Sequence, residues 1–331
     1  MKKLIKEVVE TFGPSGREDK IREIITKKME NHVDEIKEDS MGNLICIKKG
    51  KGPKIMVASH MDEIGIITTH VTKNGFLRFS PVGGVSPVRC IYQRVIFENG
   101  VKGVVGIEPV KKLSEIEFDK LYIDIGAKSK KEAREMLGEG FFGAFVNNFD
   151  ELNDLYVAKS MDDRVGCAVA IKAAEKLKKT DNEIYFVFTS QEEVGLRGAK
   201  ASAYNLDPDL GIAIDVTGSA DTPEAKKMPM KLRNGVAIKV KDRSVLVPKK
   251  VKDFFIKVAE KNKIKYQLEV LQYGGTDAGA INLTKSGILA GVLSIPTRYI
   301  HSVSEVLSKD DVQNTIDLLT KILESDISKI I

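Results

Sequence analysis

Apolar positions recur with two different periods along this chain, and the change of period divides it. LIKEVVETF carries Leu4, Ile5, Val8, Val9 and Phe12 on one helical stripe. GPSGRED interrupts it, and Ser15 with Glu18 three residues later has the form of a capping box for a helix from Arg17 to about Asn31. VDEIKED and NLICIKK, joined by SMGN, predict a hairpin that leads to a buried strand beginning at Ile55.

After Gly65 the texture becomes short alternating segments such as FLRFSPV, YQRVIFE and VKGVVGI, with Asn74-Gly75 and Asn99-Gly100 as expected two-residue turns. One helix, Lys128 to Leu137, interrupts this β-rich stretch. From Tyr156 helix and strand alternate again. A helix bearing Val165, Val169, Ala173 and Leu177 is followed by strands Ile184–Thr189, Leu210–Ile214 and Val236–Val240. VKDFFIKVAEKN then predicts a helix, YQLEVL a strand, Ile288–Leu293 another strand, and Lys309 to Ser325 a final helix. Strands this apolar are buried on both faces. The expected fold is α/β, a mixed central sheet with helices on both faces plus an inserted small β-barrel. Its expected division is 1–66, 67–154 and 155–331, the middle part being the insert.

Charged residues enter where the apolar runs stop. YFVFTSQEEVG ends on Glu192 and Glu193, KIMVASHMDEIG runs into His60 and Asp62, GIAIDVTG reaches Asp215, GILAGVLSIPTRYIHS leads to His301, and AKSMDDRVG puts Asp162 and Asp163 before a helix. In open α/β sheets ligands bind beyond the carboxyl ends of the strands, so these residues are expected to converge. Histidine with carboxylates suits zinc, cobalt or manganese.

Two ions held ~3.5–4 Å apart need a negative group between them. Asp162 is the natural bridge, with His60 and Asp215 on one ion and Glu193 and His301 on the other. Three carboxylates against two divalent cations leave one positive charge for a bridging hydroxide to neutralise. Glu192 is then free to act as general base and to protonate the leaving amine. Asp62 is placed to accept the second N–H of His60 and fix its tautomer. Asp163 suits a helix cap or an outer-shell role. GGTDAG, Gly274 to Gly279, lacks the spacing of a phosphate loop and reads as a tight turn carrying Asp277.

The motifs HMDEIG, DDRVG, QEEVGLRGA, AIDV, GGTDAG and PTRYIHS, in that order, resemble those of the tetrahedral (TET) aminopeptidases, deblocking and glutamyl aminopeptidases often mislabelled as endoglucanases. The resemblance covers about Lys2 to Ser325. It implies a metal-dependent aminopeptidase that removes N-terminal residues from short peptides, with two Zn2+ or Co2+ ions per chain (Mn2+ as a third choice). It carries the same roles onto His60, Asp162, Glu193, Asp215, His301, Glu192 and Asp62. It also implies that the β-rich insert mediates dimerisation and that dimers assemble into a tetrahedral dodecamer. Leu232-Arg233-Asn234-Gly235 and the lysines between Gly218 and Lys231 depart from the family pattern, so its substrate preference does not transfer. Arg233 or one of those lysines would suit an acidic N-terminal residue.

The remaining totals narrow the field. A net charge of +5 on interspersed lysines and glutamates describes a solvated surface rather than a nucleic-acid face. Cys46, Cys90 and Cys167 sit among apolar neighbours with no metal spacing, and no apolar run reaches the ~18 residues of a span. A cytoplasmic protein without membrane or nucleic-acid partners is expected. A dimetal deacylase of N-acyl amino acids is the alternative enzyme. A glycosidase needs two carboxyls flanking one sugar bond, which adjacent glutamates among histidine ligands do not provide.

Overall fold

The structure, a computed structural model, describes residues 1–225 and 228–331. Lys226 and Lys227, part of the lysine-bearing loop, lie outside the described residues.

Eleven strands form one mixed sheet. Its order is Glu35–Glu38, Leu44–Lys48, Glu183–Thr189, Lys54–His60, Leu210–Gly218, Leu289–Arg298, Glu305–Ser308, Leu155–Ala158 and Asp150–Leu152, while Val236–Lys241 and Tyr266–Val270 branch from Leu289–Arg298. The four central strands, beginning at Glu183, Lys54, Leu210 and Leu289, run parallel. Their carboxyl ends therefore share one rim, and four of the five predicted charged positions lie on or just past these strands.

Two glycines show how closely helices cover the faces. A Cβ on Gly211 would meet Ile281 of the helix Asp277–Asn282 at 2.5 Å, and one on Gly291 would meet Phe255 of the helix Lys249–Lys261 at 2.6 Å. Gly211 pairs with Ala290, so Gly291 has the opposite parity and faces the other side of the sheet. Helices thus lie on both faces, as the apolar strands require.

The insert is a closed barrel of six strands, Gly65–Val71, Leu77–Val82, Arg94–Phe97, Lys102–Ile107, Leu121–Asp124 and Phe142–Phe145. Closure removes sheet edges. Its core, including Ile66, Phe79, Val95, Phe97, Leu121 and Ile123, is separate from the core around the large sheet. Asp150–Leu152 already pairs within the large sheet.

Several local expectations change. The helix expected from Arg17 spans Asp19–Met29, and no side chain caps its first turn. Ser15 and Glu18 bond elsewhere: the Ser15 hydroxyl donates to Asp62 Oδ2 at 2.6 Å, and Glu18 Oε1 accepts the N–H groups of nearby Gly16 and distant Gln191. Both hairpin loops hold three residues rather than two. Thr72 bonds to Phe76 and Phe97 to Val101, with Gly75 and Gly100 at φ +88°, the left-handed position such loops need. Asp215 does not end its strand, which continues to Gly218 in register with Ser294–Thr297. Asp277 starts a short helix capped by Thr276 instead of sitting in an open turn.

Candidate active site at the carboxyl rim

Two buried residues open the first regular turn of the helix Met161–Lys176, and they do different things. Asp163 Oδ1 accepts the N–H of Gly166 at 3.1 Å, a helix-capping bond. A side chain on Gly166 would run into that carboxylate, so glycine is required there. Asp162, with φ −74° and ψ 108°, stands outside the helix and turns toward the rim.

There its two oxygens face different histidines: Oδ1 lies 3.0 Å from His60 Nε2, and Oδ2 lies 3.2 Å from His301 Nε2. Glu193 Oε2 is also 3.2 Å from His301 Nε2. On the His60 side, Glu192 Oε2 is 3.8 Å and Asp215 Oδ1 4.0 Å from Nε2. His60, Asp162, Glu192, Glu193, Asp215 and His301 line one cavity of about 410 Å3, while Asp62 and Asp163, expected to converge with them, do not line it.

Both imidazoles are oriented by backbone carbonyls. His60 Nδ1 is 3.2 Å from the carbonyl of Asp62, and His301 Nδ1 is 3.0 Å from that of Gly84, so each Nδ1–H donates to the backbone and each Nε2 faces the cavity. The Asp62 carboxylate is farther from the ring, 3.5 Å, than its carbonyl. Its stronger bonds go elsewhere, to the N–H groups of Glu192 and Glu193 at 3.0 and 3.2 Å and to the Ser15 hydroxyl. Asp62 therefore holds the turn on which both glutamates sit, in addition to flanking His60.

The charge pattern attracts cations. Burial pushes the carboxyls of Glu192 and Asp215 well above the usual range, and neighbouring acids push further in the same direction. Burial opposes charge on His60 too, yet Glu192, Asp162 and Asp62 raise its pKa well above the ordinary histidine value. Asp162 moves the other way: burial raises it, but hydrogen bonds to His301 and His60 hold it low.

The donors suit metal ligation. His60, Glu192 and Asp215 form one group, and His60, Asp162 and Glu193 an overlapping one that shares His60, with ligand atoms within 4.8 Å of one another. Tetrahedral bonds of 2.0–2.1 Å put ligand atoms roughly 3.3–3.4 Å apart, within the range of separations found here. Glu193 Oε1 is buried without a hydrogen-bond partner, as a carboxylate oxygen reserved for an ion would be.

Left-handed backbone, found at several places in the chain, also occurs beside these residues. Ser160, Gln191 and His301 have φ of 55°, 54° and 60°, each within two residues of a rim side chain or at one. Non-glycine residues in this region cost on the order of 1–3 kcal/mol each and persist only where the surroundings enforce them. Buried glutamates bond to all three: Glu63 accepts the Ser160 hydroxyl, Glu18 the N–H of Gln191, and Glu305 that of His301. Glu63 and Glu305 were not selected from the sequence, and Glu18 was read only as part of a helix cap. Gly83 and Gly84 were missed as well; a Cβ at Gly84 would meet His301 at 2.6 Å. A charged residue within an otherwise buried strand, as Glu305 is, was the available signal.

Arg233 is not part of the cavity lining. It is exposed and binds Asp154 through two bonds of 2.6 and 2.8 Å. Among the described residues the lysine that lines the cavity is Lys239, buried and paired with Asp242 and Glu269 at 2.9 and 2.8 Å. No helix among the described residues is long and apolar enough to cross a membrane.

The M42 glutamyl aminopeptidase model matches residues 42–318. A putative aminopeptidase of Acetivibrio thermocellus is 51% identical, over 96% of this chain and 97% of its own length. Aminopeptidase APDkam598 of the archaeon Desulfurococcus kamchatkensis superposes with a TM-score of 0.94 at 41% identity, covering 98% of this chain and 94% of that one. The Pyrococcus horikoshii TET1 peptidase, which can assemble into a tetrahedron or a large octahedral shell, does so with a TM-score of 0.85 at 33% identity, over 97% and 98%. With likeness of this extent in both sequence and fold, the chain belongs to the M42 glutamyl aminopeptidase family and is a peptide hydrolase.

Proposed function

We propose that the chain is a two-metal aminopeptidase that trims N-terminal residues from short peptides. The supporting observation is Asp162 itself, whose two oxygens are directed to two different histidines at nearly equal distance. That is the geometry of a bridging ligand. His60 and Asp215 would complete one ion, Glu193 and His301 the other. The donor set suits Zn2+ or Co2+, with Mn2+ as the third choice. When bound, such a pair supplies an activated water and polarises the scissile carbonyl.

The chain's own residues supply the rest. Glu192 is close enough to His60 to be a ligand, but three donors exist for each ion without it. Its carboxylate is therefore assigned to take the proton from the attacking water and return it to the leaving amine, a role worth ~10²–10⁴-fold. Asp62 fixes the Glu192-Glu193 turn that brings the base to the cavity. The deacylase alternative is not favoured by the family to which the chain belongs.

A panel of aminoacyl amides, assayed with zinc, cobalt or manganese and with chelator, tests this reading. Cleavage that requires both metal and a free N-terminus is expected. Equal turnover of N-acetylated substrates, or activity that survives chelation, would defeat it.

We further propose that the 67–154 insert is the dimerisation unit and that dimers build a tetrahedral dodecamer, in keeping with the tetrahedron that the Pyrococcus horikoshii TET1 peptidase can form. The barrel leaves the apolar side chains of Val88, Tyr92, Val104 and Leu113 exposed, and a second copy would cover them. Light scattering separates a dimer from a dodecamer or a larger shell. With Cys46, Cys90 and Cys167 free and buried, the cytoplasm is the compartment assigned.

A further inference from the structure

His301 reaches the rim from the connection between Leu289–Arg298 and Glu305–Ser308, through a turn with two left-handed residues, Tyr299 at φ 62° and His301 at φ 60°. The backbone of His301 is held by Glu305, whose Oε1 accepts its N–H at 2.6 Å. Glu305 Oε2 accepts a second N–H at 3.0 Å, that of Asp162, 143 residues away in sequence. One buried carboxylate thus ties together the backbones of the two residues whose side chains meet at 3.2 Å in the cavity. The nearby cation, Lys159, is bound to Glu63, so both Glu305 oxygens are spent on these amides.

Asp62 has the same design on the opposite side, one carboxylate on the N–H groups of Glu192 and Glu193. Where Asp62 spans adjacent residues, Glu305 joins segments that nothing in the local sequence brings together. From this geometry we infer that Glu305 is a positioning residue. It sets the distance between Asp162 and His301, and so the spacing of the donors to the ion they share; this rests on the two-metal reading above.

The inference predicts more than a loss of activity. Glutamine at 305 keeps one acceptor and turns an NH2 toward an N–H donor, while aspartate keeps the charge but is too short to span both amides. Metal-free Glu305→Gln is expected to melt cooperatively, while titration calorimetry with Co2+ finds one of two binding events weakened ~10–100-fold. kcat should fall and recover substantially in excess Co2+, with KM little changed, and Glu305→Asp should be intermediate.

Two wild-type binding events in both variants would overturn the clamp. So would a variant that is less stable without metal but whose folded fraction binds both ions normally, since that describes a purely structural residue. A wild-type protein that takes up fewer than two ions would overturn the two-metal reading and this inference together, and that result is read separately from the variants.

Discussion

The large sheet and the barrel bury different kinds of side chain. Glu18, His60, Asp62, Glu63, Lys159, Asp162, Asp163, Arg164, Asp215, Lys239, Asp242, Glu269, Asp277, Glu305 and Asp311 are all buried, and all belong to the part of the chain around the sheet. Within the barrel strands and their connections, Thr68 is the buried polar residue. A buried charge costs free energy unless it is paired or hydrogen-bonded, and the part of the fold that carries the rim bears this burden many times over. The barrel has no such burden. It is a packing module that meets the site through the backbone of Gly83 and Gly84 and through Arg89, whose side chain donates to the carbonyls of Ile300 and His301.

The sharpest way to test this division is to make the same substitution in both regions. Glu192→Gln should reduce kcat by ~10²–10⁴-fold, the usual value of a general base, while metal analysis still finds two ions per chain. Glu108→Gln, on the exposed barrel surface beside Arg78, should leave turnover unchanged. Comparable losses from both would mean that the barrel takes part in the reaction.

The converse experiment attacks packing. Phe97 is almost wholly buried in the barrel core, and Phe97→Ala should cost ~3–5 kcal/mol of stability. Below the melting temperature its kcat should equal that of the parent. Calorimetry and steady-state assay on one preparation separate the two effects.

How far these regions were legible in the sequence follows from the same difference. Alternating apolar segments and Asn-Gly pairs announce a barrel because its order is local; the loop length was misjudged and the short helix Pro87–Cys90 was not foreseen. At the rim, His60, Asp162, Glu192, Glu193, Asp215 and His301 stood out because parallel strands deliver their ends to one edge. Their supports did not stand out. Ser15 and Glu18 have the spacing of a cap, but Asp62 and Gln191, far along the chain, are their actual partners. Glu305 looks like one more charge after a loop until the fold puts it between Asp162 and His301. Hydrogen bonds that span many residues leave no period to read.

Metal removal should affect the sheet and spare the barrel. Without cations, Glu192 and Asp215 have pKa values raised above those of an unfolded chain, by burial first and neighbouring acids second. Above about pH 4 the unfolded chain releases these protons and the folded one keeps them, so stability falls as pH rises through the raised folded values. His60 and His301 act in the same direction: burial opposes their charge, the surrounding carboxylates raise them, and that stabilisation is lost as pH climbs above the ordinary histidine value. The gap in melting temperature between metal-loaded and chelated protein should therefore widen from pH 5 to pH 8. A constant gap would contradict the electrostatic account of the rim.

The smallest effect compares two buried hydroxyls. Ser15 donates to Asp62 at 2.6 Å, and Thr68 donates to the Gly138 carbonyl at 2.8 Å while accepting the N–H of Phe141. A bond to a charged group is worth ~1.5–3 kcal/mol and a neutral one ~0.5–1.5 kcal/mol. Thr68→Val should therefore lower stability slightly and leave kinetics alone. Ser15→Ala removes a bond from the carboxylate that holds the Glu192-Glu193 turn, so part of its cost should appear in kcat, about 10-fold or less, with KM little changed. If both substitutions alter only the melting temperature, the Ser15 bond is structural like its barrel counterpart, and Asp62 holds the turn unaided.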